Sequence, residues 1–188
     1  MQSATIHLST EYLQLNTGQR NFTALSCQQM TTDFSISMFL AFSILAFHAI
    51  WISWMDFRHM IIPDLANLSL GLSGLLWQVA SGQPILSQLM QVVLGGILLW
   101  LIRYLYWQLR NRHGLGLGDV KFVAAACAWV GLLGLPWLIL TASMSALAVI
   151  IGKQMSGQQL VKDTRLAFGP HLCIGLLAIW LAMAYELL

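Results

Sequence analysis

Two aspartates set against apolar sequence are the residues of this chain best suited to chemistry. Asp119 closes the run Gly114-Leu115-Gly116-Leu117-Gly118-Asp119-Val120-Lys121 and opens an apolar stretch, Phe122 to Leu133. Asp56 closes another apolar stretch and is followed by Phe57, Arg58 and His59. An ionised carboxylate costs on the order of a few kcal/mol when drawn into a bilayer. Nothing in the neighbouring sequence needs Asp119 for folding. Its plain structural role would be a helix N-cap, and the matching position of Asp56 argues for more. Gly116 and Gly118 admit close backbone approach and torsions closed to other residues. Two carboxylates sharing one site cannot both ionise easily, so near neutral pH they hold one proton between them. The ionised member takes a proton from water and the protonated member polarises a carbonyl, which is acid–base chemistry for cutting a peptide bond. Either aspartate can begin as the base.

The elements that must position this pair are membrane helices. Of 188 residues, 58% are hydrophobic and only 9% charged, and the mean hydropathy is +0.73. A soluble domain carries about 25% charged residues. The composition predicts an all-α polytopic membrane protein embedded in a lipid bilayer. A net charge of +2 gives no basis for a nucleic-acid partner. Cys27, Cys127 and Cys173 lie far apart without a C-x-x-C pair, so no metal or redox motif is read and no cofactor is expected.

Residues 1–35 are polar and mixed, and are read as a loosely ordered tail without the pattern of a cleavable signal peptide. Asn21-Phe22-Thr23 fits a glycosylation sequon, a pattern frequent by chance. Residues 36–188 are read as one domain, a bundle of about six transmembrane helices. The segments run from about Ile36 to Met55, Leu65 to Ala80, Leu86 to Trp107, Asp119 to Leu133, Trp137 to Gly152, and from Gly169-Pro170 to the C-terminus. Each approaches the ~20 residues that span a bilayer. Gly134-Leu135-Pro136 is read as a tight turn, and Lys153 to Ala167 as a polar loop that guides a substrate. The loops after segments one, three and five hold Arg58, Arg110, Arg112, Lys153, Lys162 and Arg165, whereas those after two and four hold no Lys or Arg. The positive-inside rule places the basic loops in the cytoplasm. Asp56 ends segment one and Asp119 begins segment four, so both emerge on that side, and bundle packing can bring them together.

Three blocks now carry a family resemblance. They are Asp56-Phe57-Arg58-His59-Met60-Ile61-Ile62-Pro63-Asp64, Gly116-Leu117-Gly118-Asp119-Val120-Lys121 and Phe168-Gly169-Pro170-His171. The chain resembles the type IV prepilin peptidases, membrane aspartic peptidases of the GxGD class, across about residues 36–188. The resemblance implies that Asp56 and Asp119 are the catalytic pair of an aspartic endopeptidase. It implies prepilin or pseudopilin substrates of pilus or secretion systems, cut at the cytoplasmic face of the bacterial inner membrane just before an apolar helix. Bifunctional members carry two C-x-x-C pairs and also methylate the new N-terminus. This chain lacks those pairs, so N-methyltransferase activity is not expected of it. Ala167 stands where many relatives have proline, which implies a slightly looser loop.

Other residues receive lesser roles. Pro63 is preset for a first helical turn and Asp64 suits its N-terminus as a cap. Lys121 either attracts substrate and tunes the pair or snorkels to the interface. Arg58 and His59 are read as orientation charges, His48 as an interhelical hydrogen bonder, and the tryptophans as an interfacial belt. Ala124, Ala125, Ala126 and Ala128 suggest tight packing behind Asp119. Two competing functions use the same residues. A small transporter or ion relay would pass protons along the pair, although both carboxylates sit at segment ends rather than at mid-membrane. An inactive assembly factor for a pilus or secretion machine would not need both aspartates.

Overall fold

The longest apolar runs fold as helices. The computed structural model describes residues 36–110, 116–156 and 167–185. The tail 1–35, with the sequon and Cys27, and loop residues 157–166 lie outside the described residues. Five helices form: α1 (Ile36–His59), α2 (Asp64–Ala80), α3 (Ile85–Arg110), α4 (Leu117–Met155) and α5 (Gly169–Ala184). By length and composition α1, α3 and α4 can each cross a membrane, while α2 and α5 are shorter. The chain divides into two units, Met1–Phe42 and Ser43–Leu188. Of the first, residues 36–42 are described and are helical. The second holds the rest of α1 and all of α2 to α5.

The first half of α4 is the core of this second unit. From Val120 to Val130 nearly every residue is buried, and a helix apolar all round is an interior one. Small residues bring its neighbours close. A side chain on Gly71 would meet Ala125 Cβ at 3.5 Å, one on Gly74 would meet Ala128 Cβ at 2.8 Å, and one on Gly96 would meet Ala124 Cβ at 3.2 Å. This is the small-residue packing by which membrane helices associate, and it follows from the alanine run. The Trp129 indole N–H donates to the Leu70 carbonyl (2.9 Å), tying α4 to α2. His48 contacts the Ile44 carbonyl (2.8 Å) and the Ser69 hydroxyl (3.1 Å), tying α1 to α2.

The described residues thus show five helices rather than six. The difference lies in α4, where the backbone breaks at Gly131 (φ 66, ψ 179) and not at Gly134-Leu135-Pro136, which is helical. The chain doubles back there. In a straight helix Asp119 and Ser145 would stand about 39 Å apart. Yet Asp119 is within electrostatic reach of Asp56, Asp56 is bonded to Gly169, and Ser145 is bonded to His171 two residues further along α5. Beyond the break, side chains on Gly134 and Gly175 would meet Ile179 and Leu138, so this half of α4 runs antiparallel to α5.

Gly131 is held in the left-handed region that favours glycine. The Leu132 N–H, which opens the second half, donates to Gln91 Oε1 of α3 (2.9 Å), and a Cβ on Gly131 would lie 2.6 Å from that same oxygen. Gly131→Ala meets both the torsional cost and the clash. It is expected to destabilise the fold by roughly 2 kcal/mol or more, read as a lower unfolding midpoint of the detergent-purified protein. An unchanged midpoint would remove Gly131 as the required pivot.

Candidate active site

Asp56 lies on the last turn of α1 and is 6% exposed. Its Oδ2 accepts the Gly169 N–H at 2.7 Å. Gly169 opens α5, where backbone donors have no partner inside the helix and the dipole favours an anion. A Cβ on Gly169 would sit 2.7 Å from Asp56 Oδ2 and 2.9 Å from its Cγ, so the approach requires glycine. Pro170 follows in the first turn of α5, where its missing N–H costs nothing.

Asp119 is the third residue of α4. Its Oδ2 accepts the Gly116 N–H at 3.2 Å, the carboxylate half of a capping box. A side chain on Gly116 would collide with that carboxylate at 2.8 Å, and one on Gly118 would press on Ile62 Cβ at 3.2 Å. The glycines therefore let the start of α4 close over its own aspartate and onto the α1–α2 link. The Asp119 carboxylate lies within electrostatic range of Asp56. The structure thus brings the two together with Gly116, Gly118, Gly169 and Pro170.

Lys121 and Asp64 are placed differently. Lys121 Nζ lies 2.6 Å from Asp64 Oδ1, with 50% and 74% of the side chains exposed. Such a surface pair contributes about 0–1 kcal/mol. The expected capping role of Asp64 does not hold: Pro63 is the N-cap of α2 and no side chain caps the helix. Asp64 is instead a first-turn acid engaged by Lys121. Arg58 stacks over the Trp54 ring at 4.7 Å.

Three features went unread in the sequence. Ser53, one turn before Asp56, lines the same hollow as Cys173 of α5. Asn67 of α2 is buried with neither amide atom hydrogen-bonded among the described residues. A groove of about 770 Å³ runs beside Asp56, lined by Ser53, Trp54, Phe57 and Arg58 of α1 and by Pro170 and Cys173 of α5, among others. The one sequence signal was the lone Asn67 in an apolar helix.

These features define an all-helical polytopic membrane protein with two interacting carboxylates at one end of its bundle, each held by a backbone N–H. The sequence profile of the Type IV leader peptidase family matches residues 29–151. The chain belongs to that family. It is 34% identical over 128 residues to a prepilin leader peptidase/N-methyltransferase of Escherichia coli K12, covering 66% of this chain and 55% of the relative. Against the Legionella pneumophila protein of the same name it is 35% identical over 159 residues, or 78% and 52%. Against leader peptidase HopD of Escherichia coli it is 39% identical over 119 residues, or 62% and 76%. The chain spans about half the length of the two peptidase/N-methyltransferases. No solved structure matches it.

Proposed function

We propose that the chain is a prepilin leader peptidase, an aspartic endopeptidase in which Asp56 and Asp119 activate water. The observation that carries this reading is the convergence of Asp56, Asp119 and the Gly169 N–H from α1, α4 and α5. One carboxylate, ionised, takes a proton from water, and the resulting hydroxide attacks the scissile carbonyl. The other, protonated, donates to the carbonyl oxygen, and the first then passes its proton to the leaving amine. The Gly169 and Gly116 N–H groups each occupy an Oδ2, which leaves the Oδ1 atoms for water and substrate. The substrate is a prepilin or pseudopilin, in keeping with the names of the relatives.

The reading extends to place. Arg58, Arg110, Lys121 and Lys153 lie at the helix ends on the side of the aspartates, and the α2–α3 turn, Ser81 to Pro84, carries no charge. The positive-inside rule then orients the site toward the cytoplasm, in the bacterial inner membrane.

The test is direct. The purified chain, given a full-length prepilin and S-adenosylmethionine, is expected to release the leader and leave the new N-terminus unmethylated, because its three cysteines form no C-x-x-C pair. Mass spectrometry of the product reads both outcomes. An uncut prepilin sinks the peptidase, and an added methyl group sinks the single-activity reading.

A further inference from the structure

The start of α5 has one backbone donor to give. The His171 and Leu172 N–H groups both donate to the Phe168 carbonyl, at 3.1 Å each, and Pro170 has no N–H. That leaves the Gly169 N–H, which Asp56 Oδ2 accepts at 2.7 Å. Its aim depends on how α5 is turned about its own axis. Helix Cα atoms lie about 2.3 Å from that axis, so a turn of about 25° carries them about 1 Å.

Much of what holds α5 against the second half of α4 is apolar packing. A Cβ on Gly175 would lie 2.7 Å from the Leu138 carbonyl oxygen, and one on Gly134 would lie 3.4 Å from Ile179. Such contacts bring helices close but carry no directional bond. Apart from its sulfurs and the Trp180 indole, α5 has one side chain able to hydrogen-bond, His171. It is 7% exposed, and its Nδ1 lies 2.9 Å from Ser145 Oγ of α4. The Ser145 hydroxyl donates to the Ala142 carbonyl at 2.8 Å, so its oxygen accepts from the His171 Nδ1–H. The Phe168 ring packs 6.4 Å from the same imidazole, centroid to centroid. The residue before Gly169 and the residue two beyond it therefore meet at the side chain that Ser145 holds.

We propose that Ser145 and His171 are positioning residues for Asp56: their hydrogen bond sets the rotation of α5 and so aims the Gly169 N–H at the Asp56 carboxylate. The consequence for cleavage rests on the proposed peptidase reading; the aim of the N–H does not. A polar pair between apolar helices has few geometries that satisfy it, because breaking it leaves a buried donor without an acceptor, at about 1–3 kcal/mol. Apolar side chains at the same two places would let α5 turn at little cost. The second half of α4 thereby reaches the site without entering it. Neither Ser145 nor His171 touches a reacting atom.

The experiment has two arms on the full-length chain, and the first needs no activity. Phe168-Gly169 is the only Phe-Gly pair in the sequence. Isotopic labelling of phenylalanine carbonyls and glycine nitrogens therefore singles out the Gly169 amide in NMR spectra of the detergent-purified chain. A short bond to a carboxylate moves its proton downfield, and Asp56→Ala marks the unbonded position. Ser145→Ala decides, because it removes one oxygen from a half-buried site and suits a helix. It is expected to carry the resonance most of the way to the Asp56→Ala position. Ser145→Thr, and His171→Asn with an amide N–H near the place of Nδ1–H, are expected to hold it near wild type. A resonance unmoved by Ser145→Ala, or moved as far by both conservative variants, overturns the proposal. In the second arm, Ser145→Ala is expected to lower kcat for leader cleavage about 10- to 100-fold with KM unchanged, the scale of a misplaced catalytic group, and Ser145→Thr to recover most of the loss. Wild-type kcat beside a moved resonance overturns the consequence for cleavage. A wild type that cuts no prepilin, with the resonance moving as expected, faults the peptidase reading alone.

Discussion

Leader cleavage is expected to vanish when either Asp56 or Asp119 is changed to asparagine. The substitution keeps the size and much of the hydrogen bonding, so the amide oxygen at either position would still accept its N–H, from Gly169 or from Gly116. What is lost is the titratable group. If the pair works as one unit, each single change costs on the order of 10⁴-fold or more, and the double change costs little beyond that. Asp→Glu at either position also fails, because a shift of about 1 Å costs ~100-fold. Asp64→Asn is the contrast: it breaks only an exposed pair with Lys121 and leaves cleavage near wild type. Cleavage of a prepilin in membranes, with abundance checked by blotting, reads all of these. Normal cleavage by a well-expressed Asp56→Asn or Asp119→Asn chain would overturn the role of that residue.

Gly169→Ala is expected to be nearly as damaging without touching a carboxylate. The added methyl would lie 2.7, 2.9 and 3.0 Å from Oδ2, Cγ and Cβ of Asp56. Two of those atoms belong to the rigid base of a buried side chain, so either the carboxylate swings away or α5 withdraws. Both break the 2.7 Å hydrogen bond. A displacement of about 1 Å predicts a loss of roughly 100-fold in kcat. Gly152→Ala is the control, since a Cβ there meets nothing within 4 Å. Wild-type turnover by Gly169→Ala, at normal abundance, would show that α5 does not set the position of Asp56.

What could be read from the chain alone was local or topological. The aspartates emerge at the same end of the bundle because two helical passes, α2 and α3, lie between them, and counting apolar runs is enough to see it. Close approach at Gly116 and Gly118 follows from glycines beside a carboxylate. The misreadings share a physical cause. Gly134-Leu135-Pro136 carries the composition of a turn, but the pivot is Gly131, and what holds it is Gln91, 41 residues from Leu132. Asp64 has the type and place of a cap, but Lys121, 57 residues away, takes its carboxylate. The donor to Asp56 lies 113 residues downstream.

That distance of 113 residues between Asp56 and its donor also sets a schedule for biogenesis. Translation at about 5–20 residues per second delivers Gly169 roughly 6 to 23 seconds after Asp56. Throughout that interval the newborn chain carries at least one aspartate of the pair but lacks the N–H that fixes Asp56. If Asp56 is catalytic as proposed, insertion of α5 is the maturation step. On the proposed reading, a nascent chain still beside the insertion machinery, among other apolar segments with exposed peptide bonds, is expected to be inert until its last described helix docks and the Gly169 N–H reaches Asp56.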